Sequence, residues 1–497
     1  MFTERSDENG LRYRRALSVT KAEEITEKEK KARKLQLDKP IHKPRDSLFS
    51  WNSEFTDFTG LVNWGFLMLT IGGLRLCLEN FLKYGIRVNP FEWIIVLTGY
   101  HEGYTHQYPS LALLICKYRY FVFSVVPAVL SLLIEKSIAV GIIAQKIGIS
   151  LQIINIITVI TLPVIVIFFK GPEFSFVGIT TVCMIYLILF LKLWSYSQTN
   201  HWCRQGLKNK KNVNQLRRQS LSAPNWSKFL KTSFSLSLSK DGVMAGLTKY
   251  PDNLNLKDLF YFLLAPTLCY ELNFPRTTRI RKRFLIKRLI EVMFGVNLIL
   301  ALFQQWMIPS VKNSVDSFSQ MSFVAMAERL LKLAPNHLIW LCFFYLSFHS
   351  SLNLMGELLH FADRKFYGDW WNANNIQAFW SSWNMPVHMW ALRHVYIPIT
   401  DMGYSKTHAS IVVFVISALF HEYLVSVPLQ MFRLWAFLGV MAQPPLSVIS
   451  RVAELRLGPR WGNLLVWSSL ILGQPLAIMM YYHDYAIANM APEPQTT

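Results

Sequence analysis

Apolar residues in this chain fall in long unbroken runs. They do not alternate as in half-buried strands, nor recur every three to four residues as in amphipathic helices. Residues 147–169 contain no Asp, Glu, Lys or Arg over 23 positions, and residues 174–191 contain none over 18. At a rise of 1.5 Å per residue the first run crosses a hydrocarbon core of about 30 Å as a single helix. Similar runs occupy 61–82 (interrupted by Arg75), 120–133, 289–308, 337–359, 409–429, 431–449 and 464–482. Inside lipid every backbone polar group needs an internal partner, so runs of this kind predict helices. The expected fold class is all-α, a multispanning membrane bundle of about nine transmembrane helices.

Polar stretches divide the chain into an expected organisation. Residues 1–46 carry mixed charge and no apolar core of a signal peptide, and are expected to be a flexible or partly helical cytosolic tail. Residues 47–486 form the expected membrane domain, and 487–497 a polar C-terminal tail. Within the domain, residues 201–250 hold ten Lys and Arg against one acid, Asp241. This segment, about 200–250, reads as a mobile cytosolic loop, because basic residues accumulate on the cytosolic side. Residues 276–283, with five Lys and Arg, are expected on the same side.

Composition narrows the class further. Hydrophobic residues make up 52% of the chain and charged residues only 16%, below the ~25% of soluble proteins. Mean hydropathy is +0.25. An ordinary soluble protein and a largely disordered chain are both excluded. The net charge of +20 is assigned to the positive-inside rule and to anionic lipid surfaces, and no nucleic-acid partner is expected. Six cysteines without a CxxC pair give neither a disulfide framework nor a zinc site, and no metal is expected. No P-loop, HExxH or GxSxG sequence is present.

Candidate chemistry lies where ionisable groups interrupt apolar runs, since such groups are costly in a membrane and face a cavity or a partner. His421 and Glu422 do so within 409–429. Imidazole can take a proton from a hydroxyl and release it, and an adjacent carboxylate can raise its basicity. A structural histidine bonded between helices is the alternative. His349 and Glu357 read as packing groups, Gln443 and Gln474 as amides holding a helix or a ligand carbonyl, and Arg433 as a snorkelling cation. Residues 370–390 hold five Trp among Asp, Asn and His. The segment 361–396 therefore fits either an interfacial stretch with rings at headgroup depth or the floor of an amphipathic-ligand site.

Phe366, Tyr367, Gly368, Asp369, Trp370, Trp371 and Asn372 resemble the FYxDWWN motif of the membrane-bound O-acyltransferase superfamily, in the branch that includes the sterol and diacylglycerol O-acyltransferases. His421 falls on the superfamily's intramembrane histidine and Asn384 on its upstream polar position. The stretches 265–276, 421–429 and 473–475 place the resemblance nearer the diacylglycerol side. The resemblance implies a multi-pass enzyme of the endoplasmic reticulum membrane with a cytosolic N-terminus. It would move an acyl group from acyl-CoA to the hydroxyl of 1,2-diacylglycerol, with acyl-CoA as a substrate and no cofactor. Membrane lipids surround it, and the family picture is a homodimer, with a homotetramer the other assembly. His421, Asn384 and Glu422 are then the expected catalytic residues: base, oxyanion donor (a role Gln474 could equally fill) and orienter of the base. Trp383, His388, Tyr396, Lys406, Ser417, Gln443 and Gln474 are the expected substrate-binding residues. Ser410 stands where a basic residue is expected, and no CoA contact is carried onto it. Acyl transfer to a sterol, retinol or a long-chain alcohol, and lipid transport without chemistry, are the rival readings.

Overall fold

The computed structural model describes residues 41–42, 45, 65, 82–83, 85, 119–170, 176–220, 247–307, 309 and 337–490. Among these residues the chain is helical and has no strand beyond two isolated bridges. Three helices open the bundle: α1 (Arg119–Val140), α2 (Gln145–Lys170) and α3 (Phe176–Ser220). They pack on one another, and α2 leaves Ile153, Ile154, Ile157, Phe168 and Phe169 exposed, as a lipid-facing helix does. Their inner faces carry a polar network instead of apolar contacts alone. Glu135 is ion-paired with Arg204, and Gln152 donates to Glu135 (3.2 Å) and to the Ser131 carbonyl (2.8 Å). A buried charge needs such a partner, and these groups tie the three helices to one arrangement.

A short helix, α4 (Leu256–Leu264), follows. Its last carbonyls would be orphans. Lys192 of α3 supplies the donors, its Nζ lying 2.8 Å from the carbonyls of Phe262, Leu263 and Ala265. Next come α5 (Lys282–Leu302), prolonged by a π turn at Phe303–Met307, and α6 (His337–Leu358), which holds a π stretch at Tyr345–Ser351. The second half contains α7 (Ile376–Ser382), α8 (Met385–Ala391), a π turn at Leu392–Tyr396, α9 (Ile397–Asp401), α10 (Lys406–Leu429), α11 (Trp435–Met441), α12 (Gln443–Leu457) and α13 (Pro459–Met490).

Five helices among the described residues are long and apolar enough to cross a membrane: 145–169, 178–209, 337–358, 406–429 and 435–457. Apart from residues 65 and 82, the expected span at 61–82 lies outside the described residues. Three expectations change. The helix that begins at Phe176 continues to Ser220, so about the first two-fifths of the expected basic loop is helical. Its residues there (Gln, Lys, Arg, Leu) are good helix formers. The run 431–449 becomes the span 435–457, which breaks at Ala442: α11 ends at Met441 and Pro444 and Pro445 lie in the first turn of α12, where proline is tolerated. The end of the N-terminal tail is docked, with Ile41 and His42 bonded to Glu271 and Arg45 to Asp363.

The core centres on the aromatic segment. Phe366, Tyr367, Trp370 and Trp371 are at most 2% exposed, so those rings are covered by neighbouring side chains. Trp370 meets Trp340, Phe344, Phe379 and Trp467 edge-on or tilted at 5.0–5.9 Å, so one side chain joins α6, α7 and α13.

Candidate active site

His421 lies on α10, four residues after Ser417, and its Nδ1 is 2.7 Å from the Ser417 carbonyl. A carbonyl only accepts, so the ring proton sits on Nδ1 and the lone pair on Nε2 is uncommitted. His421 keeps accessible surface although protein atoms surround it. The neighbouring residue Phe420 packs edge-on against Phe190 of α3 at 5.6 Å. Phe414 packs against Trp380 of α7 at 6.3 Å. The helix that carries the histidine is thus wedged between α3, α7, the π turn and α11.

Glu422 does not orient His421. Its buried carboxylate accepts from the Leu434 and Phe437 backbone N–H groups (3.0 Å each), from the Tyr481 hydroxyl (2.9 Å) and from Ser426. Successive residues leave a helix in different directions, and here the carboxylate points to α11 and α13. Its bonds satisfy the backbone where Leu434 takes a left-handed conformation (φ 60°) and α11 begins.

Asn384 is the N-cap of α8, its side-chain oxygen accepting from the Val387 N–H at 3.2 Å. The cap fixes the rotamer and leaves the amide NH2 without a partner among the described residues. The preceding Trp383 stacks on Phe379 (5.9 Å, 3°) and tilts against Phe348 (5.5 Å). Two backbone bonds lace this turn to the motif: Gly368 N–H to Ser382 O (2.6 Å) and Met385 N–H to Phe366 O (3.0 Å). A Cβ at position 368 would lie 3.2 Å from that of Ser382, so glycine permits the close approach.

His388 and Tyr396 are half-buried on α8 and the π turn, and burial lowers the His388 pKa. Lys406 is exposed in the first turn of α10. It is 15 residues from His421, about 22 Å along the helix axis. Gln443 starts α12, with its amide 3.4 Å from the Gly439 carbonyl. Gln474 lies on α13, and its side chain is outside those described. Asp369 is exposed, whereas Asn372 closes a short turn by its N–H to Asp369 O (2.9 Å).

Several supporting residues carry no signal in the sequence. Asn463 donates to the carbonyls of Trp371 (3.0 Å) and Ala373 (2.9 Å), and Ser450 accepts the Ile376 N–H (3.0 Å). Glu454 accepts from Asn375 at 2.7 Å. These groups of α12 and α13 hold the motif's exit, but each looks like an ordinary polar residue on a helix. His349 and Glu357 pair as packing groups: His349 with the Tyr367 hydroxyl (2.7 Å), Glu357 with Arg281 (2.9 Å) and Arg364 (3.0 Å).

Comparison with known proteins identifies the family. The profile of the membrane-bound O-acyltransferase family matches residues 120–483. The chain is 46% identical over 453 residues to diacylglycerol O-acyltransferase 1 of Bos taurus, covering 91% of this chain and 86% of that one. It is 44% identical over 450 residues to the Homo sapiens protein of that name, with 90% and 84% covered. To diacylglycerol O-acyltransferase 1-2 of Oryza sativa subsp. japonica it is 34% identical over 456 residues, with 90% and 86% covered. On the family match, the shared length and the helical architecture, this chain belongs to the membrane-bound O-acyltransferase family and is an acyltransferase.

Proposed function

We propose that the chain transfers an acyl group from acyl-CoA to the free hydroxyl of 1,2-diacylglycerol, giving triacylglycerol and CoA. The observation that carries the proposal is the Nδ1 bond of His421 to the Ser417 carbonyl, which leaves the Nε2 lone pair available as a base. Support for the substrate pair comes from the names of the relatives, each similar over most of both chains.

In the proposed reaction the acceptor hydroxyl oxygen attacks the thioester carbonyl carbon as Nε2 of His421 takes its proton. The carbonyl oxygen becomes an oxyanion, and the amide NH2 of Asn384 is the donor offered to it. The C–S bond then breaks, the ester forms, and the CoA sulfur takes the proton back from His421. No acyl-enzyme and no cofactor are required, since base, donor and two substrates complete the balance. Exclusion of water protects the thioester. Glu422 holds the α10–α11 junction in place of touching the base. Trp383, His388 and Tyr396 are proposed for the acyl-CoA wall, Ser417, Gln443 and Gln474 for the interior, and Lys406 for a CoA phosphate at the mouth. The length of α10 from Lys406 to His421 suits the reach of an extended pantetheine arm. We place the enzyme in the endoplasmic reticulum membrane with its N-terminus in the cytosol, as a homodimer.

The test is turnover by purified protein of labelled oleoyl-CoA with diacylglycerol or with cholesterol. Labelled triacylglycerol is the expected product. Cholesteryl ester instead would move the acceptor to the sterols.

A further inference from the structure

His394 is a second buried histidine, 2% exposed, and its ring is fully spent. Nδ1 lies 2.7 Å from Gln198 Oε1, an acceptor, so the proton sits on Nδ1. Nε2 lies 2.8 Å from Ser195 Oγ. That oxygen already accepts the Tyr270 N–H at 2.7 Å, and so gives its own proton to Nε2. The ring also stacks on Trp202 of α3, at 5.5 Å and 4°. In contrast to His421, no lone pair is left for chemistry. Burial and the neighbouring Arg393 charge hold the pKa well below the usual histidine value, in keeping with a neutral ring.

This ring sits in the π turn Leu392–Tyr396. A π turn carries one residue more than an α turn allows and is rare without compensation. Here the two residues on its inner face hold it to the two backbone groups of a single residue, Tyr270. Arg393 donates to the Tyr270 carbonyl (2.7 Å), and His394 reaches the Tyr270 N–H through Ser195. The last residue of the same turn is Tyr396, half-buried, and α10 packs on this turn.

We propose that His394, clamped between Ser195 and Gln198, is a positioning residue that fixes the register of the π turn and thereby the place of Tyr396 on the acyl-CoA wall. The inference rests on the proposed reading of Tyr396, and it separates affinity for acyl-CoA from the chemical step. Losing one buried hydrogen bond of the clamp weakens acyl-CoA binding by about tenfold and leaves kcat and the KM for diacylglycerol near their wild-type values.

The test compares Ser195→Val with Ser195→Thr in the purified full-length protein. The two side chains share a shape, and only Thr keeps the hydroxyl. Affinity for a non-hydrolysable thioether analogue of oleoyl-CoA is measured beside kcat, both KM values and the melting temperature. The expected result is weak analogue binding by Ser195→Val, with binding restored in Ser195→Thr. Unchanged affinity in Ser195→Val, or a loss confined to kcat and melting temperature, overturns the inference. A wild type that binds the analogue but forms no triacylglycerol overturns the proposed reaction, and analogue affinity still judges the clamp.

Discussion

At His421 the proton faces its own helix and the lone pair faces away. That asymmetry separates it from His394, whose two nitrogens are both consumed. In the sequence His421 stood out by its apolar run, whereas His394 carried no signal, because its partners lie 196 and 199 positions away. Separation in sequence also hid the role of Glu422, whose partner Tyr481 is 59 positions on. Glu422→Gln is expected to lower the melting temperature, since a buried N–H left unpaired costs about 1–3 kcal/mol. Its pH–rate profile is expected to match the wild type, and a shifted acid limb would return Glu422 to the role of orienting the base. Asn384 offers a cleaner separation. Asn384→Asp keeps the cap oxygen but removes the NH2 donor, so stability is retained while kcat falls by about 10²–10³. Asn384→Ala removes both and also loses about 1 kcal/mol of stability. Equal kcat in wild type and Asn384→Asp would remove Asn384 from the oxyanion site.

Among the elements, the uninterrupted apolar runs were legible because nothing but a helix satisfies so much backbone in lipid. Thus 147–169 falls inside α2 and 409–429 inside α10. The extension of α3 to Ser220 was not legible, since Asn and Ser among the basic residues read as a loop. Nor did composition decide the depth of the motif segment: tryptophan suits an interface and a core equally. Its burial is a tertiary result, produced by α6, α12 and α13 closing over it. Asn463→Leu tests this directly. It leaves the Trp371 and Ala373 carbonyls without their donor. A loss of about 1–3 kcal/mol in thermal or denaturant melting is expected. A second element-level test concerns α4. Burial raises the Asp258 pKa from 3.8 to about 6, against the opposing effects of the Tyr270 hydrogen bond and Arg276. A carboxyl raised on folding contributes stability below its unfolded pKa and loses it as pH rises through the folded value. Asp258→Asn is therefore expected to melt higher than wild type at about pH 7.5, the gap closing toward about pH 4. A gap independent of pH would contradict the raised value.

For the whole molecule, the bundle has an oily exterior and an aromatic and aliphatic core with buried polar groups set into it. Exposed Ile, Leu and Phe coat α2 and α5, while the ion pair of Glu135 and Arg204 and the spent ring of His394 lie within. The N-terminal segment is part of this assembly. His42 bonds Glu271 at 2.6 Å. Burial alone would raise the Glu271 pKa, but the His42 charge and hydrogen bonds, with Arg393, hold it lowered. The same carboxylate stands one residue from Tyr270, whose backbone N–H and carbonyl anchor the π turn, so the docking site of His42 and the clamp share a segment. In the proposed reaction this scaffold presents the Nε2 of His421 to an acyl-CoA thioester and a diacylglycerol hydroxyl. That proposal is tested by the rate of labelled triacylglycerol formation from oleoyl-CoA and diacylglycerol by purified wild type and His421→Ala, with melting curves for both. Triacylglycerol is expected from the wild type and a rate lower by about 10²–10⁴ in the variant, at an unchanged melting temperature. Equal rates in the two proteins, or no triacylglycerol from a well-folded wild type, would refute the role of His421 or the reaction itself.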